Sequence, residues 1–253
     1  MDDLRAYLLS GPRRTPPLSA PVPVPAPVPK FFSRRLLLRA GLAGAGLAWL
    51  GADTVRASET PPAVAHDPVS AEYALRLLKA GNQRYARNHE VHPDASAGHR
   101  SRVASGQHPF ALVVGCVDSR VPPELVFDLG LGDLLVVRTA GHVLDAVALA
   151  SVEFGVKELH VPLVVVLGHS RCGAVTAAVQ HVLSGTAAPG RLGVLVEQIA
   201  PAVREARTRP GDLVQNTVRC HVDRVRRELA AEDSCRVVGA RYDLDTGRVS
   251  FTG

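Results

Sequence analysis

Three side chains suited to binding a soft metal follow two apolar segments of the sequence. Cys116 comes directly after residues 110–115, and His169 and Cys172 follow the apolar residues 163–167. Thiolate and imidazole ligands favour zinc over magnesium or calcium, and a structural zinc site normally has a fourth cysteine or histidine. A set of two cysteines and one histidine is typical of a catalytic zinc that keeps one position for water or substrate. We therefore predict one Zn²⁺ per chain.

A carboxylate and a guanidinium group lie close to the first of these ligands. Asp118 is two residues from Cys116, so it can occupy the fourth zinc position or accept a hydrogen bond from the group that does. Arg120 can form a bidentate pair with Asp118, which would lower the carboxyl pKa and hold the carboxylate away from the metal. Zinc in such a site generates hydroxide for attack on a small electrophile. The predicted catalytic pair is Asp118 with Arg120, and the predicted metal ligands are Cys116, Asp118, His169 and Cys172.

The apolar segments before these residues are typical of strands that are buried on both faces of a sheet. They alternate with helical patterns, and this order predicts an α/β fold with a mainly parallel central β-sheet flanked by helices. Ligands collect beyond the carboxyl ends of the strands in such folds, and the predicted zinc ligands lie there. The strand segments are residues 110–115, 134–137 and 163–167, and the helical segments are residues 145–158, 174–183, 194–206 and 213–231.

Further elements are predicted at the two ends of this domain. Asp67 followed by Pro68 is typical of a helix start, and residues 70–88 have apolar side chains at helical spacing. These features predict an N-terminal helical arm. Near the C-terminus, residues 237–242 and 248–251 predict a β-hairpin.

The net charge of +5 comes from the N-terminal segment. Residues 1–57 contain eight Lys or Arg and three acidic residues, whereas residues 58–253 contain 21 of each kind. A formally neutral domain gives no support for binding to nucleic acid. The 46% of hydrophobic residues also excludes a chain that is disordered throughout.

Residues 1–57 are predicted to be an export signal with a Pro-rich leading region. Residues 12–29 alternate Pro with Ala and Val, which prevents a helix or a central strand, and residues 40–50 form a short apolar segment. Between them, residues 33–38 (SRRLLL) resemble a twin-arginine signal, which implies the twin-arginine export machinery as a partner. We predict cleavage after Ala57 and an exported protein, periplasmic or extracellular. An uncleaved signal would leave the domain tethered to the membrane. An amphipathic or membrane-anchoring N-terminus is the alternative.

The motifs around the predicted ligands resemble those of the β-class carbonic anhydrases. The resemblance extends from about Ala74 to residues 242–247, so it covers nearly the whole chain after the signal. The segments that carry it most specifically are residues 116–124 (CVDSRVPPE), 138–141 (RTAG) and 168–175 (GHSRCGAV).

This resemblance implies a zinc lyase that interconverts CO₂ and bicarbonate, with Cys116, His169 and Cys172 as zinc ligands. It also implies that Asp118 either completes the zinc coordination or pairs with Arg120 and orients hydroxide on the zinc. A homodimer, a homotetramer or a larger assembly is implied as well, with an N-terminal helix embracing the neighbouring subunit and the site near the interface.

Two other functions remain open at the level of the sequence. Relatives of this fold hydrolyse carbon disulfide or carbonyl sulfide at a similar metal site. A zinc-binding domain could also regulate a bicarbonate or sulfate transporter without turnover. The presence of both Asp118 and Arg120 argues against this regulatory function.

The remaining histidines and cysteines are not assigned to the site. His142 could shuttle protons near the zinc, but we interpret it as a surface loop residue. Cys220 lies opposite the apolar stripe of the last helix, so we do not expect it in the core. It either pairs with Cys235 in a disulfide or stays a free thiol at a subunit contact. Three further histidines are interpreted as residues of a solvated loop: His89, His92 and His99.

Overall fold

The computed structural model describes residues 69–232 and 235–253. The predicted export signal and the predicted helix start at Asp67 and Pro68 lie outside these residues. In the described ranges no helix has both the length and the hydropathy needed to cross a membrane. The elements in chain order are α1 (Ala71–Tyr85), α2 (Ala97–Val103), β1 (Ala111–Cys116), α3 (Pro123–Val126), β2 (Leu134–Thr139), α4 (Ala146–Glu153), β3 (Leu163–His169), α5 (Gly173–Ser184), α6 (Leu192–Ala206), α7 (Leu213–Glu232), β4 (Arg236–Tyr242) and β5 (Val249–Thr252).

The five strands form one sheet in the order β2-β1-β3-β4-β5. The first four strands of this order are parallel, and β5 is antiparallel to β4. Every residue of the central strands β1 and β3 is buried, as their continuous apolar sequences predict. The predicted α/β fold with a mainly parallel sheet and a C-terminal hairpin is therefore confirmed.

Helices cover both faces of this sheet, and alternate residues of β3 point to opposite sides. Val164 and Val166 belong to a core cluster that contains side chains of α4, α5, α6 and α7. Val165 belongs to a second cluster that contains Leu78 of α1 and Phe127, which follows α3. The carboxyl ends of β1 and β3 are thus fixed from two sides, and this makes them a rigid base for a site.

Helix α1 lies very close to the segment that follows β1. A Cβ atom on Gly81 would be 1.7 Å from the carbonyl oxygen of Phe127, so only glycine permits this approach. Beside it, Asn82 Nδ2 donates to the carbonyl oxygens of Val126 at 3.0 Å and Gly247 at 2.9 Å. These contacts link α1 to α3 and to the C-terminal hairpin.

Helix α7 is buried along two faces. Cys220 is fully buried against Ala202 and Ala206 of α6, so the expectation that it lies outside the core is wrong. The reason is that α6 covers the face opposite the apolar stripe. Cys220 forms no disulfide with Cys235 in this structure, and its full burial inside the subunit places it away from any subunit contact. The stripe itself packs in the main core as predicted: Val218, Val222, Val225 and Leu229.

Candidate active site

Two central strands bring three potential metal ligands to one point. Cys116 ends β1, His169 ends β3, and Cys172 precedes the first residue of α5. Their ligand atoms lie within 4.8 Å of one another, and the two sulfur atoms are 4.0 Å apart. All three side chains are buried. The structure therefore brings together three of the four ligands that the sequence predicts, namely Cys116, His169 and Cys172.

The imidazole of His169 is oriented as a metal ligand would be. Its Nδ1–H donates to the carbonyl oxygen of Ser170 at 3.0 Å, because a carbonyl oxygen can only accept. Nε2 then carries the lone pair, and it has no hydrogen-bond partner among the described residues although the side chain is fully buried. A buried polar atom without a partner is costly, and a metal ion at this position would satisfy it.

The two thiols also fit a bound cation. The Cys172 thiol holds the pKa of Cys116 at about 4 by hydrogen bonding, and the backbone N–H of Gly141, 3.3 Å from Cys116 Sγ, acts in the same direction. The same contact, together with burial, raises the pKa of Cys172. Two buried thiolates repel each other unless a cation lies between them. Two thiolates and an imidazole that converge in this way fit Zn²⁺.

Asp118 and Arg120 form a tightly bonded pair beside the ligands. The Arg120 side chain donates to Asp118 through Nε at 2.9 Å and Nη2 at 2.8 Å, and its backbone N–H donates at 3.0 Å. This pairing holds the Asp118 pKa at about 2, so the carboxylate is ionised at neutral pH. Asp118 Oδ2 is 3.9 Å from His169 Nε2, but the carboxylate is outside the group of three clustered ligand atoms. Its place as a fourth zinc ligand stays a prediction.

Arg138, at the end of β2, fixes the backbone that carries this pair. Its Nε donates to the carbonyl oxygen of Cys116 at 2.7 Å, and its Nη2 donates to that of Asp118 at 2.6 Å. Arg138 belongs to the RTAG segment of the sequence, but no role could be predicted for it there. The sequence hint was that a charged residue directly follows the apolar residues 134–137. In the structure β2 pairs in parallel with β1, and this pairing places Arg138 opposite Gly115, beside the backbone that it binds.

His142 is buried, so its interpretation as a surface residue is wrong. Only 1% of the residue is exposed, because α7 covers the loop after β2. Its ring stacks on His221 of α7 with 4.6 Å between the ring centroids. His89 and His92 are exposed as expected, whereas His99 is half-buried in α2 and lies 2.8 Å from Asp94.

Comparison with known proteins points to one family. The sequence pattern of the family described as "Carbonic anhydrase" matches residues 111–249. Carbonic anhydrase 2 of Mycobacterium tuberculosis is 43% identical over 185 residues, which are 69% of this chain and 89% of that protein. A carbonic anhydrase of Mycolicibacterium smegmatis is 38% identical over 188 residues, which cover 70% of this chain and 91% of the relative.

Solved structures agree with the sequence comparison. The β-carbonic anhydrase CafA of Aspergillus fumigatus is 26% identical, with a TM-score of 0.52, and the match covers 72% of this chain and 89% of the other. A tetrameric β-carbonic anhydrase of Sordaria macrospora has the same identity and TM-score, and the match covers 72% of this chain and 96% of the other. The chain therefore belongs to the β-class carbonic anhydrases, zinc enzymes that interconvert carbon dioxide and bicarbonate.

Proposed function

We propose that this chain hydrates carbon dioxide with Asp118, held by Arg120, as the residue that orients the attacking water. The observation that carries this proposal is the triple hydrogen bonding of Arg120 to Asp118 directly beside three buried ligands. The carboxylate of this pair lies 3.9 Å from the buried Nε2 of His169, which has no hydrogen-bond partner among the described residues. A role in stability alone does not account for this position.

Each residue of the site then has a defined task. Cys116, His169 and Cys172 would hold zinc, which lowers the pKa of a bound water to about 7 and so supplies a nucleophile at neutral pH. Asp118 faces the ligands and can accept a hydrogen bond from a water molecule there. That bond would direct the water lone pair toward the carbon of CO₂. Arg120 keeps the Asp118 carboxylate ionised and in one orientation.

The direct test is Asp118→Asn, which keeps the size of the side chain and removes its charge. We expect full zinc content and a fall of about 100-fold in the rate of CO₂ hydration, because an amide is a much weaker acceptor. Asp245→Asn is the matched control, since Asp245 forms an exposed pair with Arg171 and should leave the rate unchanged. A rate for Asp118→Asn equal to the wild type would refute the assigned role.

We also propose that the chain assembles as a homodimer or homotetramer through the edge formed by β2. Strand β2 ends the sheet, and all its residues are only half-buried. An apolar groove runs beside it, and its rim contains Val147 and Phe154, which are 74% and 50% exposed. An apolar sheet edge invites pairing or aggregation unless it is covered. The tetrameric state of the Sordaria macrospora relative supports an assembly of several subunits.

Finally, we propose that residues 1–57 direct export through the twin-arginine machinery, which places the domain outside the cytoplasm. The support is the order of a Ser-Arg-Arg motif at residues 33–35 and a short apolar segment at residues 40–50. Replacing Arg34 and Arg35 together by Lys should retain the chain in the cytoplasm of an expressing bacterium, as fractionation would show. Unchanged export of this double variant would exclude a twin-arginine route.

A further inference from the structure

The two backbone polar groups of Gly141 link a zinc ligand to a histidine of α7. The Gly141 N–H donates to Cys116 Sγ at 3.3 Å, and the Gly141 carbonyl oxygen lies 3.0 Å from His221 Nε2. Gly141 has a φ of +65°, and a Cβ atom here would lie 2.9 Å from Ile199 and 3.0 Å from Ala174. The loop is therefore tightly enclosed, and its contact with Cys116 depends on how Gly141 is held.

His221 is suited to hold this glycine. A carbonyl oxygen only accepts, so His221 Nε2 must carry the hydrogen and donate it to Gly141. Burial lowers the pKa of His221 to about 4, and the neutral ring therefore keeps this single N–H at neutral pH. Only 4% of His221 is exposed, so water does not compete freely for the bond.

His142 supports the His221 ring from one side. The two rings stack with an angle of 34° between their planes. Neither ring nitrogen of His142 has a hydrogen-bond partner among the described residues, and burial lowers its pKa as well. His142 is thus a neutral packing partner, whereas His221 makes the directional bond.

We propose that His221 is a positioning residue of the metal site, which acts through Gly141 on the Cys116 thiolate. With His221 in place, the Gly141 N–H stays directed at the sulfur, stabilises the thiolate and fixes the lone pair that a metal would use. Groups that orient metal ligands in this way commonly change metal affinity when they are removed. The inference rests on the function proposed above, namely metal binding by Cys116, His169 and Cys172.

The test compares variants of the full-length protein loaded with cobalt(II), whose thiolate-to-metal absorption band reports directly on the sulfur. His221→Phe and His221→Leu both remove the donor to Gly141. We expect this band to move to longer wavelength in both, because a thiolate that loses a hydrogen bond is a stronger electron donor. Zinc affinity, measured by competition with a chelator, should fall by about 10-fold.

Two further variants separate positioning from simple packing. His221→Gln places an amide N–H near the position of Nε2, so it should restore the wild-type band and most of the zinc affinity. His142→Asn disturbs the stacked pair and accepts the positive φ of 48° at this position. It should lower thermal stability without moving the band.

The possible outcomes separate the positioning role of His221 from the existence of the metal site itself. An unshifted band in the donor-free variants, or an equal shift in His142→Asn, would overturn the role of His221. A wild-type protein that binds neither cobalt nor zinc would instead refute the metal site itself. The zinc content and the band of the wild type are therefore measured first.

Discussion

Arg120 determines what Asp118 can do at the site. Its side chain and its backbone N–H both bind the carboxylate, and this keeps Asp118 ionised with its Oδ2 3.9 Å from His169 Nε2. In the proposed function this carboxylate accepts a hydrogen bond from water. The pairing with Arg120 would serve that role by holding the carboxylate off the metal. Arg120 is half-exposed, so losing it should cost the fold little.

For Arg120→Ala we therefore expect a folded protein with zinc but with CO₂ hydration reduced by at least about 10-fold. The freed Asp118 can turn toward the metal ligands and leave its orienting position. Arg120→Lys should recover only part of the rate, because an ammonium group cannot make the bidentate bond. Stopped-flow rates and zinc content of both variants test this, and a wild-type rate in Arg120→Ala would show that the pair is dispensable.

A second ionised carboxylate, Asp128, is buried and contributes to stability. Arg84 Nε donates to it at 2.5 Å, and the backbone N–H groups of Val91 and His92 also donate to it. Burial acts to raise the Asp128 pKa, but these donors outweigh it and the pKa is lowered. The stabilisation is therefore complete above the ordinary aspartate pKa of about 4 and is lost as the pH falls below it.

We expect Asp128→Asn to lower the free energy of unfolding by about 3 kcal/mol at neutral pH. This deficit relative to the wild type should shrink progressively when urea unfolding is repeated below about pH 4, because there the unfolded wild-type chain takes up the proton before the folded one does. Glu153→Gln breaks an exposed pair with Lys157 and should cost less than about 0.5 kcal/mol. A deficit for Asp128→Asn that does not change with pH would contradict this account.

The site residues differ in how far the sequence could predict them. The three clustered ligands could be predicted, because residue types that bind zinc follow the apolar segments that predict strands. These residues are Cys116, His169 and Cys172. The buried location of His142 and the contact of His221 with Gly141 could not be predicted in this way. Both depend on the packing of α7 over a loop that lies about 80 residues earlier in the chain. A contact between residues so far apart leaves no pattern in the local sequence.

At the level of elements, the close packing of α1 against the Phe127 backbone predicts that a larger residue at Gly81 destabilises the fold. Gly81→Ala places a methyl group against the Phe127 backbone, so α1 must shift and the bonds of Asn82 must stretch. We expect a loss of about 1–3 kcal/mol in the free energy of unfolding. The control is Gly98→Ala in α2, where a Cβ atom meets nothing closer than 3.9 Å. Urea unfolding that shows equal stability for both variants would contradict the close docking of α1.

The secondary structure was predictable in position but not in every detail. The buried strands β1 and β3 lie where continuous apolar runs predict them, because burial on both faces leaves a clear pattern. Residues 145–158 were predicted as one helix, but α4 ends at Glu153 and a π-helical turn follows, Phe154–Glu158. Gly155 lies in that turn, where a Cβ atom would be 2.6 Å from Leu112 and Leu135. The side chains that restrict Gly155 belong to strands β1 and β2. The helical periodicity of residues 145–158 therefore could not predict the end of α4.

At the level of the whole molecule, the exposed edge of β2 predicts the assembly. Val147→Lys introduces a charge beside this edge, so it should shift the protein from an oligomer to a monomer in light scattering coupled to gel filtration. Val194→Lys is the matched control, because Val194 is also well exposed but lies on α6. An oligomer that survives Val147→Lys but dissociates in Val194→Lys would place the interface elsewhere.

In the proposed mechanism, the three buried ligands hold one zinc ion that serves CO₂ hydration. The most direct measurement is the stopped-flow rate of CO₂ hydration by the purified chain, together with the zinc content per chain. We predict one zinc per chain and rapid hydration, which disappears when a chelator removes the metal and returns when zinc is added back. Full zinc occupancy without measurable hydration at any pH would contradict the account.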